Sequence, residues 1–229
     1  MNKYTDVTRK QHYNVMYELL MYINKQTDTF VLKGGTALLM CYNLHRFSED
    51  IDFNSTNKNI DKYIAGFCNM YGYSYVMSKD TSTTKRFKIH YNNDDKYLKV
   101  EVSYRNTRID KSKICNINGI TVYKINELAI QKTGAYISRD KIRDLFDICF
   151  ICNNYWNDLS EDTKTMISNA IEYKGIEQYD YIIKDQTDEL IDNNVLLDDF
   201  LKLYDEFGLM DEEERINNNI EDDHDDYNF

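Results

Sequence analysis

The stretch Leu32-Lys33-Gly34-Gly35-Thr36-Ala37-Leu38, followed by Arg46-Phe47-Ser48-Glu49-Asp50-Ile51-Asp52-Phe53, contains the pattern that decides the fold of this chain. Its first part places two adjacent glycines where a short apolar strand is predicted to turn into a helix. Its second part places Asp50 and Asp52 two positions apart in another predicted strand, so both side chains lie on one face. Two carboxylates on one face repel each other. A bound divalent cation would relieve that repulsion, so the pair predicts a cation site.

The glycine pair adds a second half to this site. A glycine turn that enters a helix presents backbone N–H groups to phosphate oxygens. Magnesium binds one or two carboxylates together with phosphate oxygens of a substrate. Gly34 and Gly35 alone would more often be only a tight turn. In combination with Ser48, Asp50 and Asp52, they predict a site for a metal-bound nucleoside triphosphate.

The composition limits the class of protein. With 229 residues, 42% of them apolar, the chain has room for one large domain or two small ones with a real core. No run of about 18 apolar residues occurs, so no membrane span is expected. The N-terminus lacks the apolar stretch of a secretory signal. Five cysteines at irregular positions do not describe a disulfide framework, and we expect a reduced, cytoplasmic protein.

The net charge of −11 is unevenly distributed. Residues 211–229 contain nine acidic residues and one arginine, which is −8 and leaves −3 for residues 1–210. The segment 85–113 is locally basic, so an RNA partner is compatible with the acidic total. We expect the tail to be a solvated extension. A nucleic-acid mimic or a partner-binding arm is the alternative.

The periodicity of apolar residues predicts a mixed α/β half followed by a helical half. Helices are expected at 8–25, 36–42 and 60–70, and strands at 29–32, 50–54, 73–78, 85–91, 97–104, 114–117 and 120–123. Turn residues 92–95 and the Asn118-Gly119 pair favour two hairpins. From residue 125 the pattern is helical. The predicted domains are 1–123, 124–210 and an acidic tail, 211–229.

A third carboxylate is Glu101, in the predicted strand 97–104. It shares a face with Lys99 and Ser103, while the alternate positions are apolar. One interpretation makes this the solvent face of an edge strand. The other makes Glu101 a third metal ligand, or the general base for the attacking hydroxyl. The sequence leaves both open.

Two helical segments carry the remaining candidates. Lys132 lies on a helix otherwise lined by apolar residues, and it is either exposed or interior. An interior lysine needs an anionic partner, for which a triphosphate is suitable. Asp144 and Asp147 lie three residues apart on the next helix. Either Asp144 faces the nucleotide together with Lys132, or Arg139 or Arg143 forms a structural ion pair with Asp147. Cys149 and Cys152 lie in an apolar helix and are interpreted as core residues.

Together these segments resemble the AbiEii-like nucleotidyltransferases of the DNA polymerase β-type superfamily. The matching elements are G-G-T-A-L with R-x-S-x-D-I-D-F, the helical element Lys132 to Ala135, and R-D-x-x-D at 143–147. They span residues 32–147, about half of the chain. The family includes toxins of bacterial toxin–antitoxin and phage-defence (abortive-infection) systems and is similar to the mycobacterial MenT toxins.

The resemblance implies a polymerase β-like mixed sheet, an α/β (α+β) nucleotidyltransferase core, followed by a helical domain. It implies a phosphate-binding turn at Gly34, Gly35 and Thr36, accompanied by Ser48. Asp50 and Asp52 match the metal-binding aspartates. Lys132 matches a lysine that holds the nucleotide phosphates, and Asp144 an aspartate implicated in activity. Glu101 matches the strand carboxylate only loosely.

The activity implied is transfer of a nucleoside monophosphate from an NTP, with Mg²⁺ or Mn²⁺, to an RNA such as a tRNA 3′ end or to a protein hydroxyl. A cognate antitoxin is the expected partner. Two other classes stay open. One is a small-molecule nucleotidyltransferase of the kind that inactivates aminoglycosides, and the other is a non-catalytic nucleotide-binding protein.

Overall fold

A computed structural model of the chain describes residues 7–92, 96–186, 188–189 and 191–210. The chain forms two compact units, which divide between Gln131 and Lys132. The predicted boundary near residue 123 corresponds to the end of a strand, and the compact units divide later, inside a helix. The acidic tail 211–229 and residues 93–95 of the predicted turn 92–95 lie outside the described residues.

The first unit is built on a seven-stranded mixed sheet. Its helices are α1 (Val7–Asn24), α2 (Gly34–Cys41) and α3 (Ile60–Tyr71). Its strands are β1 (Phe30–Lys33), β2 (Asp50–Ser55), β3 (Ser74–Asp80), β4 (Thr84–His90), β5 (Leu98–Ser103), β6 (Ile114–Ile117) and β7 (Ile120–Tyr123). The strand order is β3-β4-β5-β2-β1-β7-β6, so the predicted α/β class is confirmed.

Strand β2 lies inside the sheet, between β1 and β5. It pairs antiparallel with β1 and parallel with β5. One face of these strands is apolar and fully buried, as Ile51 and Phe53 on β2 show. Burial of each such side chain contributes about 1.5–3 kcal/mol, which fixes which face of β2 points inward. Asp50 and Asp52 therefore share the opposite face, as the period of two predicted.

Two predicted hairpins are present in the sheet. Strands β6 and β7 pair antiparallel around Asn118 and Gly119, with φ values of 51° and 85°. Positive φ at both central residues is the requirement of the tight hairpin turn that Asn-Gly favours. Strands β4 and β5 also pair antiparallel, and this places β5 between β4 and β2. The edge-strand interpretation of Glu101 was therefore wrong.

The second unit is helical, as predicted. It contains the end of α4 (Ile125–Ser138), followed by α5 (Ile142–Tyr155), α6 (Glu161–Asp185) and α7 (Asn193–Glu206). Its core includes a stacked pair of rings, Tyr179 on Phe200, whose centroids are 4.3 Å apart. Cys149 and Cys152 are buried free thiols, which confirms their core interpretation. In the described part of the chain no helix is long and apolar enough to cross a membrane.

Candidate active site

The diglycine turn lies where β1 ends and α2 begins. Gly34 has φ +74°, a conformation that residues with a Cβ rarely adopt. A Cβ there would also lie 3.2 Å from Asp52 Oδ2. In the described structure Lys33, at the N-cap, provides no side-chain cap. The N-cap side chain therefore does not accept a hydrogen bond from the first backbone N–H groups of α2, and these N–H groups are suited to bind an anion.

Buried hydroxyls connect this turn to β2. The Thr36 hydroxyl donates to the carbonyl oxygen of Asp50, and its Oγ1 lies 2.9 Å from Ser48 Oγ. Thr36 and Ser48 are 1% and 9% exposed. Their placement indicates that they hold the start of α2 against the start of β2. The two parts of the opening sequence motif therefore form one structural element.

The carboxylates of the site lie on two neighbouring strands, Asp50 and Asp52 on β2 and Glu101 on β5. Asp52 is opposite Lys33 on β1 and in register with Glu101 on β5, while Asp50 is in register with Lys99. Burial raises the pKa of Asp52, the nearby Lys33 opposes that shift, and the negative charges of Asp50 and Glu101 add to it. This crowding of negative charge is what a bound cation would relieve.

Cations from neighbouring strands contact two of these carboxylates. Lys99 forms an ion pair with Asp50. Arg86 on β4 contacts Glu101 Oε2 through Nε at 2.7 Å and Nη2 at 2.6 Å. The described residues contain no group of three or more His, Cys, Asp or Glu side chains arranged to hold a metal ion. Asp50 and Asp52 are the carboxylates that could hold Mg²⁺, together with oxygens of a substrate.

Lys132 and Asp144 lie together in the second unit. Lys132 Nζ is 2.5 Å from Asp147 Oδ2 and 3.4 Å from Asp144 Oδ1. All three side chains are buried, with 9%, 0% and 1% exposure for Lys132, Asp147 and Asp144. Arg139 Nε also donates to Asp144 at 2.7 Å. The sequence predicted a triphosphate as the anionic partner of Lys132. In the structure, the anionic partners of Lys132 are two aspartates of the same unit, Asp144 and Asp147.

Sequence reasoning assigned no role to two residues that shape the site. The Arg46 side chain is 3% exposed, and its Nη1 donates to the Phe47 carbonyl at 3.1 Å. His12 Nε2 donates to the Glu49 carbonyl at 2.7 Å, directly before Asp50. Arg46 lies in the same short motif as Asp50 and Asp52, so its position in the sequence was a reason to expect it at the site. His12 lies far from the motif along the chain, so nothing in the sequence was a reason to expect it there.

We predict that Gly35→Ala destabilises the first unit. A Cβ at Gly35 would lie 2.9 Å from Ser48 Oγ and 3.0 Å from Arg46 Nη2, both on buried side chains. Overpacking of this kind costs about 1–3 kcal/mol. Gly134→Ala, in helix α4, is the matched control because nothing lies within 4 Å of its added Cβ. That variant should gain about 0.4–1 kcal/mol. Urea unfolding of the full chain measures both, and equal stabilities would contradict the packing described here.

The fold and the site define a class of protein. The structure resembles two crystal structures, JHP933 from Helicobacter pylori and a presumed nucleotidyltransferase from H. pylori. For the first, the TM-score is 0.75 and the identity 27%, over 89% of this chain and 92% of that one. For the second, the TM-score is 0.74 and the identity 26%, over 89% of this chain and 95% of that one. The class is that of the mixed-sheet nucleotidyltransferases.

The family follows from the sequence comparison. The model described as nucleotidyl transferase AbiEii toxin, type IV toxin–antitoxin system, matches residues 17–225, and the chain belongs to this family. It is therefore a nucleotidyltransferase, which confirms the resemblance seen in the motifs. A type IV toxin–antitoxin system implies an antitoxin as partner. No curated protein matches the chain significantly.

Proposed function

We propose that this enzyme transfers a nucleoside monophosphate from an NTP to a hydroxyl of an RNA, with a tRNA 3′ end as the first acceptor to test. A protein hydroxyl is the alternative acceptor. The observation that carries the proposal is the position of Asp52. Its carboxylate lies on the same face as Asp50 and directly against Gly34, at the start of α2. The carboxylates of β2 thus lie next to the N–H groups at the start of α2, which we propose for phosphate binding.

Different residues of the first unit would bind the phosphates, position the turn and hold the metal. The N–H groups at Gly34 and Gly35 would bind the phosphates, and Thr36 and Ser48 would hold that turn against β2. Mg²⁺ held by Asp50 and Asp52 would supply neutralisation of phosphate charge and activation of the acceptor hydroxyl. The acceptor oxygen forms a bond to the α-phosphorus while the bond from that phosphorus to the leaving pyrophosphate breaks.

The acceptor proton needs a base, and Glu101 is the candidate. Its register with Asp52 supports this role, because it brings Glu101 next to the proposed metal-binding pair. The contact of Arg86 with Oε2 fixes the orientation of this carboxylate. The same position would also let Glu101 complete the metal shell, so we propose it for one of these two roles.

Lys132 and Asp144 enter the proposal through the family resemblance, which assigns the lysine to the nucleotide phosphates. Their buried contacts with Asp147 and Arg139 support a further role in shaping the second unit. We propose that NTP use depends on both residues. In cells, transfer to an essential RNA or protein would arrest growth until the antitoxin relieves it.

The test is incubation of the enzyme with each α-labelled NTP and three acceptors: total tRNA, total protein and an aminoglycoside. We expect Mg²⁺-dependent label on tRNA that disappears when the tRNA 3′ hydroxyls are oxidised with periodate. Label only on protein would transfer the proposal to the alternative acceptor. Label only on the drug would overturn the toxin function, because the enzyme would then belong with small-molecule nucleotidyltransferases.

A further inference from the structure

Lys33 is the last residue of β1 and directly precedes the diglycine turn. In the antiparallel pair of β1 with β2 it lies opposite Asp52, so the two side chains share a face. The Lys33 side chain is partly exposed. Its positive charge acts on Asp52, whose pKa it lowers against the larger effect of burial. Lys33 therefore lies opposite one part of the proposed site, Asp52, and directly before the other, the diglycine turn.

In the first unit, the cations that contact Asp50 and Glu101 are paired with those carboxylates. Lys99 forms an ion pair with Asp50, and Arg86 pairs with Glu101. In the second unit, Lys132 pairs with Asp147. Within the described part of the chain, the Lys33 side chain makes neither a hydrogen bond nor an ion pair. Its ammonium thus keeps its three donors for a ligand.

We infer that Lys33 binds the triphosphate of the substrate, together with the N–H groups of the diglycine turn. A lysine ammonium is a compact charge that binds phosphate from a flexible stem, and it suits an anion seated on a helix N-terminus. The inference rests on the proposed function, and it assigns a phosphate-binding role to a residue of the first unit in addition to Lys132. A purely structural role, as counter-charge to Asp52, is the alternative that the experiment must separate.

The probe is inorganic tripolyphosphate with Mg²⁺, because it carries the phosphate chain without a base whose identity is unknown. Binding to the full chain is measured by isothermal titration calorimetry. Lys33→Met should weaken binding about ten- to hundredfold, the usual worth of a charged hydrogen bond. Lys33→Arg should recover part of that loss. Lys25→Met, at an exposed position in the turn before β1, is the matched control and should bind like the parent.

Binding of Mn²⁺ alone, followed by electron paramagnetic resonance, separates the two roles. Removing a positive charge beside Asp52 should leave Mn²⁺ affinity unchanged or higher, while tripolyphosphate affinity falls. Parental tripolyphosphate affinity in a folded Lys33→Met protein would overturn the inference and leave the proposed transfer reaction standing. Absence of tripolyphosphate binding by the parent protein would also overturn the inference. The proposed function is tested separately, by the labelled-acceptor assay.

Discussion

Asp52→Asn should abolish nucleotidyl transfer while leaving the chain folded. The substitution keeps the size of the side chain and removes the charge that would hold a cation beside the diglycine turn. Charge stabilisation by a metal contributes several kcal/mol to such a transition state, so the rate should fall about a thousandfold or more. Label incorporation into the acceptor measures the loss, and growth inhibition should disappear with it. Asp50→Asn should have the same effect.

The matched control is Asp28→Asn, at an exposed position before β1. It removes the same charge from the same unit at a position outside the site, and should transfer label at the parental rate. Undiminished transfer or toxicity in folded Asp52→Asn would contradict the metal-binding assignment of this face.

The same variant has an expected signature in stability. Burial raises the pKa of Asp52 in the folded protein, so the folded state holds this proton more tightly than the unfolded chain does. Without divalent cations, the contribution of Asp52 to stability therefore declines as pH rises from the ordinary aspartate range through the raised pKa. Asp52→Asn should be at least as stable as the parent at neutral pH. Added Mg²⁺ should raise the melting temperature of the parent and not of the variant.

Lys132→Met should strongly destabilise the second unit. Lys132 is in contact with the buried carboxylates of Asp144 and Asp147, and removing it leaves Asp147 without the ammonium 2.5 Å away. Removing one partner of a buried ion pair costs about 3–5 kcal/mol. Urea unfolding of the full chain measures the loss. Lys132→Met/Asp147→Asn should regain part of it, because the double variant removes the buried charge as well.

Lys184→Met is the matched control for Lys132. Lys184 pairs with Asp180 on the same unit, but their side chains are 75% and 61% exposed. Such a pair on a helix surface contributes at most about 0.5 kcal/mol. Equal effects of the two lysine substitutions would show that the buried network does not stabilise the unit. In that case the role of Lys132 would be the one that the family resemblance implies, binding of the nucleotide phosphates.

Much of the first unit could be predicted because its signals are local. The alternation in 50–53 determined that Asp50 and Asp52 share one face of β2, and the apolar residues Ile51 and Phe53 determined that the other face is buried. Asn118-Gly119 predicted its hairpin through the backbone angles that the pair tolerates. The nucleotide-site hypothesis followed from the same short motif, since helix entry and strand alternation are set by the nearest few residues.

The partners of the charged residues could not be read in this way. The parallel pairing of β2 with β5 placed Glu101 beside Asp52, and β4 supplied Arg86. No local pattern encodes such a pairing, because it joins segments far apart in the chain. The same holds for Lys132, whose burial the sequence indicated but whose aspartate partners only the packing of α4 and α5 revealed.

The amino-acid sequence by itself thus determined the class of fold, the position of the diglycine turn and the shared face of Asp50 and Asp52. Backbone sterics and the period of each element act over a few residues, so a short motif is enough to specify them. The tertiary structure decided which charges form ion pairs within the protein, as Lys99 does with Asp50, and which charge we propose for a ligand, that of Lys33. Coulomb energy depends on distance in space, and that distance is fixed only when strands and helices have packed.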